Sequence, residues 1–429
     1  MIVPNPRVER TCADREGERL IKIVYACLAA LLSLISMRPG SAQDLVIHNA
    51  RVIVGNGVVL DNGSVAVRRG RIALVSEESP EEPGLPVLEA SGLTLMPGFI
   101  DAHRQVIQGD PEEWMQQAAQ RMGEYLDAGF TTVLSAGDPV QRILELRDRL
   151  DSRELQGPRL LVSAPVPIAS DEGGPVDRDG IRQAVQSLAM TGADAIASVV
   201  HATRQGHERA AFSTARLEAD RQGLLAITHV QSVEDAIAAV AGGSGYLTST
   251  PHLGELDEAT ALQIVRAGGG NAEYGLVMTS TLGVAVPTFA DRIAHSQPAT
   301  GADNVPRFSD LTPYPASALA SAAQGAVNAR LLRDAGIIYG FGTGTPLHPR
   351  DALRHELIPL KLVFSNHDVV DILTRSAAFA VRRDDALGTL ESGKIADIVI
   401  LGGDPLSNLE HLSDVRVVIR TGQIVVDNR

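Results

Sequence analysis

Between Pro97 and Phe341 the chain alternates short apolar runs with amphipathic stretches eight times, and this rhythm restricts the folds open to it more than any other feature. Runs of four to eight apolar residues bounded by turn signals read as buried strands. They fall near Pro97–His103, Thr131–Ser135, Arg159–Val162, Ala195–Val200, Leu225–His229, Tyr246–Thr248, Leu276–Ser280 and Ile337–Phe341. Helix-period text fills the intervals, as in DPEEWMQQAAQRMGEYLDAG and ERAAFSTARLEADRQG. Eight strand–helix alternations over roughly 250 residues predict an α/β fold of the (β/α)8 TIM-barrel type. A doubly wound sheet competes, but no Gly-rich dinucleotide turn follows the first strand.

Both flanks of this core read as hairpins. LVIHNARVIV and SVAVRRGRIALVSE carry turn signals at Asn56-Gly57 and Asp61-Asn62-Gly63, and strand text returns in GTLESGKIADIVIL and VRVVIRTGQIVVD. The two ends are expected to pair into one composite β-sandwich beside the barrel. The expected order is a signal peptide at 1–42, the N-terminal part of the sandwich at 43–95, the barrel at 96–380 and the C-terminal part of the sandwich at 381–429. Residues 287–315, rich in Pro, Ser, Ala and Asp, break the helical rhythm and read as a loop or lid at the barrel mouth.

Ile23–Ile35 forms one apolar run behind Arg15, Arg19 and Lys22, with small residues at Gly40, Ser41 and Ala42. That describes a cleavable leader, too short for a membrane anchor, and predicts export to the periplasm or beyond. Cleavage near Ala42 removes Cys12 and Cys27, the only cysteines, so the mature chain has no disulfide and no thiolate metal site. A net charge of −14 repels phosphate backbones, and with 3% aromatic residues stacking platforms are scarce, so nucleic acid is not an expected partner.

MPGFIDAH at 96–103, DAGFTTV at 127–133, the NAR…DAG…GFGTG stretch at 328–344 and GTLESGKIADIVIL at 388–401 resemble the amidohydrolase superfamily, in its imidazolonepropionase-like and prolidase-like branch. The resemblance spans residues 45–429. It implies hydrolysis of C–N bonds of non-peptide or dipeptide substrates by one or two divalent metals at the barrel mouth. The family pattern needs His-x-His on the first strand, a carboxylated Lys on the fourth, one His on each of the fifth and sixth, and an Asp on the eighth.

Against that pattern this sequence keeps two of six positions. His103 and His229 match ligands and are expected as vestiges of the metal site. Gln105 replaces the second first-strand His, Ala197 the Lys, Ser249 the sixth-strand His and Gly344 the Asp. The chain has three lysines, Lys22, Lys361 and Lys394, none in the fourth strand, so a bridging carbamate has no source. Two imidazoles fall short of the three ligands usual for catalytic zinc. A buried carboxylate left without its cations would cost several kcal/mol, and the replacements are small and neutral.

Asp138, His201, His252 and His348 are candidate mouth contacts, and the three histidines with His103 and His229 offer an alternative, relocated site for one divalent metal such as zinc. Asp138 also reads as a helix N-cap. Asp101 is expected to support His103 from the strand, and Arg104 to alternate outward and pair with an outer helix. His355-Glu356 opens like HExxH, but Pro359 breaks that motif. The catalytic residues are not assigned. The expected protein is a pseudoenzyme, without cofactor, that binds a small molecule or forms an oligomer with an active amidohydrolase relative. The alternative is an active hydrolase of a small amide, lactam or dipeptide with a single metal.

Overall fold

The computed structural model describes residues 44–78, 84–107, 112–168, 177–202, 207–268, 275–287 and 316–429. The expected leader at 1–42 and residues 288–315 of the expected lid lie outside them.

The N-terminal flank forms β1 (Leu45–Ile53), β2 (Val59–Arg68), β3 (Arg71–Ser76), β4 (Val87–Glu89) and β5 (Thr94–Pro97). The next eight strands form a parallel sheet in sequential order: β6 (Phe99–Arg104), β7 (Phe130–Ser135), β8 (Arg159–Pro165), β9 (Ala195–Val199), β10 (Leu225–His229), β11 (Tyr246–Thr248), β12 (Val277–Thr279) and β13 (Ile338–Gly340). Ala102 N–H donates to Phe341 O (2.8 Å) and Gly344 N–H to His103 O (2.9 Å), joining the last strand to the first. This is the (β/α)8 barrel that the alternation predicts.

Helices cover the outside because their apolar residues recur at helical spacing. In α1 (Trp114–Asp127) Ala118, Met122, Tyr125 and Leu126 are buried, the i, i+4, i+7, i+8 stripe of a core-facing helix. In α2 (Val140–Asp151) Ile143, Leu146 and Leu150 do the same. The ring continues through α3 (Arg178–Met190), α4 (His207–Arg221), α5 (Val233–Ala241), α6 (Glu258–Gly268), α7 (Ala316–Asp334) and α8 (Pro349–Val363). A capping box between Ser232 and Asp235 starts α5 just beyond the His229 strand.

The C-terminal flank supplies β14 (Ile398–Leu401), β15 (Val415–Arg420) and β16 (Gln423–Asp427). The chain ends pair through β14 and β5, antiparallel, in a sheet ordered β16-β15-β14-β5-β1-β2-β3, with β4 beside β1. At its far side β3 returns to the segment before β14, where Ile72 N–H donates to Lys394 O (2.9 Å). Curled in this way, the sheet encloses a core of its own that includes Ile47, Val52, Val65, Leu95, Ile398 and Val417.

Candidate functional site at the barrel mouth

The mouth is built at the C-terminal ends of the barrel strands, and its centre is a pair of half-buried imidazoles. His103 on β6 and His229 at the end of β10 have ring centroids 5.4 Å apart and planes inclined by 31°. Nδ1 of His103 lies 2.8 Å from the Thr248 hydroxyl of β11. Burial, with His229 adjacent, holds His103 far below the usual histidine range, down to about 3. Burial and the neighbouring His201 lower His229 as well. Both rings are therefore neutral near pH 7 and carry no positive charge into the mouth.

Around this pair stand the positions where the sequence departs from the family pattern. Ala197 sits in the middle of β9, in register with Ile227 of β10, and offers only a methyl group. Ser249 follows β11 with φ 73°, and its N–H donates to the Thr279 hydroxyl (3.2 Å). Gly344 turns the chain after β13 with φ 58°, and a Cβ built on it would lie 3.4 Å from Cδ2 of His103. A side chain at 344 would therefore face the imidazole. Gln105, one residue past β6, is exposed. Among the described residues no group of three or more His, Cys, Asp or Glu is arranged to hold a metal ion.

Beneath the imidazoles, Asp101 locks the seam between first and last strands. One carboxylate oxygen accepts from the N–H groups of His103 (3.1 Å) and Thr343 (3.2 Å), and the other from the Thr343 hydroxyl (2.6 Å). Burial raises its pKa, against the pull of Arg104. Arg104 departs from its expected place. Its guanidinium does pass over the Tyr125 ring of α1, at 5.8 Å, but the side chain is fully buried. Its hydrogen bonds go to Thr343 (3.0 Å), Thr345 (3.4 Å) and the Leu347 carbonyl, all in the turn after β13.

The four candidate mouth contacts separate. His201 follows β9 and is near enough to His229 to depress its pKa. His252 is half-buried, with its Cβ close to Gly325 of α7. His348 stands exposed at the start of α8, with Nδ1 2.9 Å from Glu124 of α1. Asp138 is neither an acid open to the mouth nor a helix cap. Pro139 occupies the cap position, and the Asp138 carboxylate accepts from the N–H groups of Val106 (2.8 Å) and Ile107 (2.9 Å) and the Ser135 hydroxyl (2.7 Å). It holds the loop that leaves the His103 strand. Asp138→Asn is expected to lower stability by about 1–2 kcal/mol, because an amide accepts at one end and opposes an N–H with its own at the other. Urea unfolding should show a lower midpoint with an unchanged slope.

The residues that sequence reasoning overlooked are hydroxyls. Thr-Ser-Thr occurs at 248–250 and again at 279–281, on neighbouring strands, and this repetition was the available signal. Thr279 donates to Thr248 (3.1 Å), and Thr250 to the Ser280 carbonyl (2.8 Å). Thr281 takes φ 36°, and its hydroxyl is buried without a hydrogen-bond partner. A β-branched residue in the left-handed region is strained, and such strain concentrates at ligand sites. Chemically, the floor is neutral imidazole and hydroxyl. It can give and take hydrogen bonds.

Residues 94–425 match the model of the amidohydrolase family. Imidazolonepropionase of Phocaeicola vulgatus is 22% identical over 90% of this chain and 100% of its own length. N-acyl-D-aspartate deacylase of Alcaligenes xylosoxydans xylosoxydans is 45% identical over 92 residues, only 17% of that protein's length. The structure of a Xaa-Pro dipeptidase with bound methionine in the active site superposes with a TM-score of 0.71 at 18% identity, covering 89% of this chain and 99% of that one. At that identity the likeness shows the fold.

Proposed function

The chain belongs to the amidohydrolase family, and from that premise we propose that it is an exported member whose metal centre has been lost, serving as a ligand-binding or partner subunit of an active relative. One observation carries this reading: Ala197 within β9, Ser249 after β11 and Gly344 after β13 stand at the positions where the family pattern calls for Lys, His and Asp. Among the described residues a divalent ion placed there would meet two imidazoles, which falls short of the ligand set of catalytic zinc. Export rests on the leader-like text at 1–42. The partner role is supported by the mouth's lack of a metal-holding cluster: among the described residues no group of three or more His, Cys, Asp or Glu is arranged for one.

A second reading, a hydrolase with one relocated metal such as zinc, draws on the closeness of His201 to His229. Elemental analysis of the mature protein decides between them. The expected result is metal far below one per chain, unchanged by His103→Ala, with no chelator-sensitive C–N hydrolysis. Near-stoichiometric zinc or manganese that disappears with activity in His103→Ala favours the second reading. Co-expression with an active family member should yield a mixed oligomer, and separate elution of the two would remove the partner role.

A further inference from the structure

The two Thr-Ser-Thr tripeptides place Thr248 and Thr279 side by side at the mouth ends of β11 and β12, both almost completely buried. A buried hydroxyl proton needs an acceptor within the protein. Ser249 N–H donates to Thr279 Oγ1 (3.2 Å), Thr279 donates to Thr248 Oγ1 (3.1 Å), and Thr248 lies 2.8 Å from Nδ1 of His103. Each hydroxyl has one proton to give. With Thr279's proton committed to Thr248, the partner left for the Thr248 proton is the lone pair on Nδ1.

The opposite direction fails. If Nδ1–H donated to Thr248, and Thr248 to Thr279, the Thr279 proton would be left in a fully buried site beside the Ser249 N–H, which is itself a donor. Orphaning a buried hydroxyl disfavours that arrangement by about tenfold or more. A neutral imidazole carries one ring proton, so an accepting Nδ1 puts it on Nε2.

We propose that this hydroxyl relay fixes His103 as an Nε2–H donor, and that the mouth uses it to bind a small uncharged ligand through an oxygen acceptor. A ring nitrogen that carries the proton has no lone pair for a metal, so the relay favours a carbonyl-type oxygen where a cation would otherwise sit. The edge of the ring next to Nε2 supports this. Its Cδ2 faces Gly344, close to Thr281 and Val284, and these neighbours are uncharged. A carboxylate entering there would be desolvated without a cation among them. The inference rests on the metal-poor reading of the mouth, and its test is separable from that reading.

Long-range proton–nitrogen correlation spectra of metal-free protein labelled with 15N-histidine report the tautomer directly, with His103 assigned by its loss in His103→Gln. The expected spectrum has Nε2 protonated and Nδ1 bare. Thr248→Val should relax the tautomer ratio by about tenfold, and Thr248→Ser, which keeps the hydroxyl, should preserve it. The wild-type spectrum alone decides the tautomer should Thr248→Val not fold. N-methylacetamide should shift the His103 Nε2 signal, with sodium acetate at equal concentration leaving it in place. A proton on Nδ1 in the wild type overturns the relay, and a response to acetate as large as that to the amide overturns the ligand class. Stoichiometric metal in the purified protein would instead overturn the proposed function.

Discussion

Arg104→Met is expected to lower the unfolding free energy by about 3–5 kcal/mol, the range for removing one partner of a buried charge pair. Arg104 is fully buried, and Asp101 is its buried counter-charge. The two are joined through one hydroxyl: Arg104 donates to Thr343 Oγ1, which donates to Asp101 at 2.6 Å. Methionine keeps much of the volume and removes the cation, so the carboxylate is left in a site that already resists its charge. Without Arg104 the Asp101 pKa, raised by burial, rises further. A carboxyl whose folded pKa exceeds its unfolded value subtracts stability progressively as pH climbs from the unfolded value toward the folded one. The penalty of Arg104→Met should therefore be smaller near pH 4 than near pH 7. Urea denaturation of both chains at the two pH values measures this. A near-wild-type midpoint at pH 7 would mean that Arg104 and Asp101 are not coupled through Thr343. Arg104→Lys should fall between, since one ammonium cannot span the acceptors of Thr343, Thr345 and Leu347 as a guanidinium fork does.

Periodicity made the barrel readable. Buried parallel strands are continuous apolar runs, and the expected strand at Leu225–His229 coincides with β10, while the one at Ala195–Val200 differs from β9 by one residue. The imidazole pair was readable for a related reason, since strand-end positions of a barrel converge on one mouth. What escaped was the direction of individual polar side chains. A helix cap and a loop clasp both ask for an Asp after a strand, and only the path of residues 106 and 107 shows that Asp138 serves the second. Arg104 alternates with His103 as a strand residue must, yet a buried guanidinium is rare enough that an exposed partner is the natural expectation. His348 is four residues past Gly344 in sequence, but the Pro349 helix start carries it outward to Glu124. Distance along the chain does not measure distance from the mouth.

Glu356 is a further polar residue whose role only the fold reveals, and it carries the largest expected pH effect. It belongs to the broken HExxH text, and it is buried in α8, where its carboxylate accepts from the N–H groups of Leu282 (2.9 Å) and Gly283 (2.6 Å). His355 beside it donates from Nε2 to the carbonyls of Gly283 (2.9 Å) and Val286 (3.1 Å). Together they hold the turn that carries the strained Thr281. Glu356→Ala leaves two buried amides without acceptors, so a loss of about 2–5 kcal/mol is expected. Burial pushes the Glu356 pKa up to about 8, while the Ser280 hydroxyl and the two amides pull it down. The sign follows from proton counting: between the ordinary glutamate value and about 8 the folded chain holds a proton that the unfolded chain releases. Stability contributed by this group is therefore fully present below the unfolded pKa and falls as pH rises through the interval, by on the order of a few kcal/mol. Glu356→Gln removes the titration, so its profile should lack this decline. Wild type should exceed Glu356→Gln most at pH 5, and the gap should close toward pH 8.5. Chemical denaturation across that range reads the difference, and the contribution of Asp138, which is not among the groups acting on Glu356, largely cancels because both chains share it. Parallel profiles would show that Glu356 stays ionised throughout, with its two amides outweighing burial.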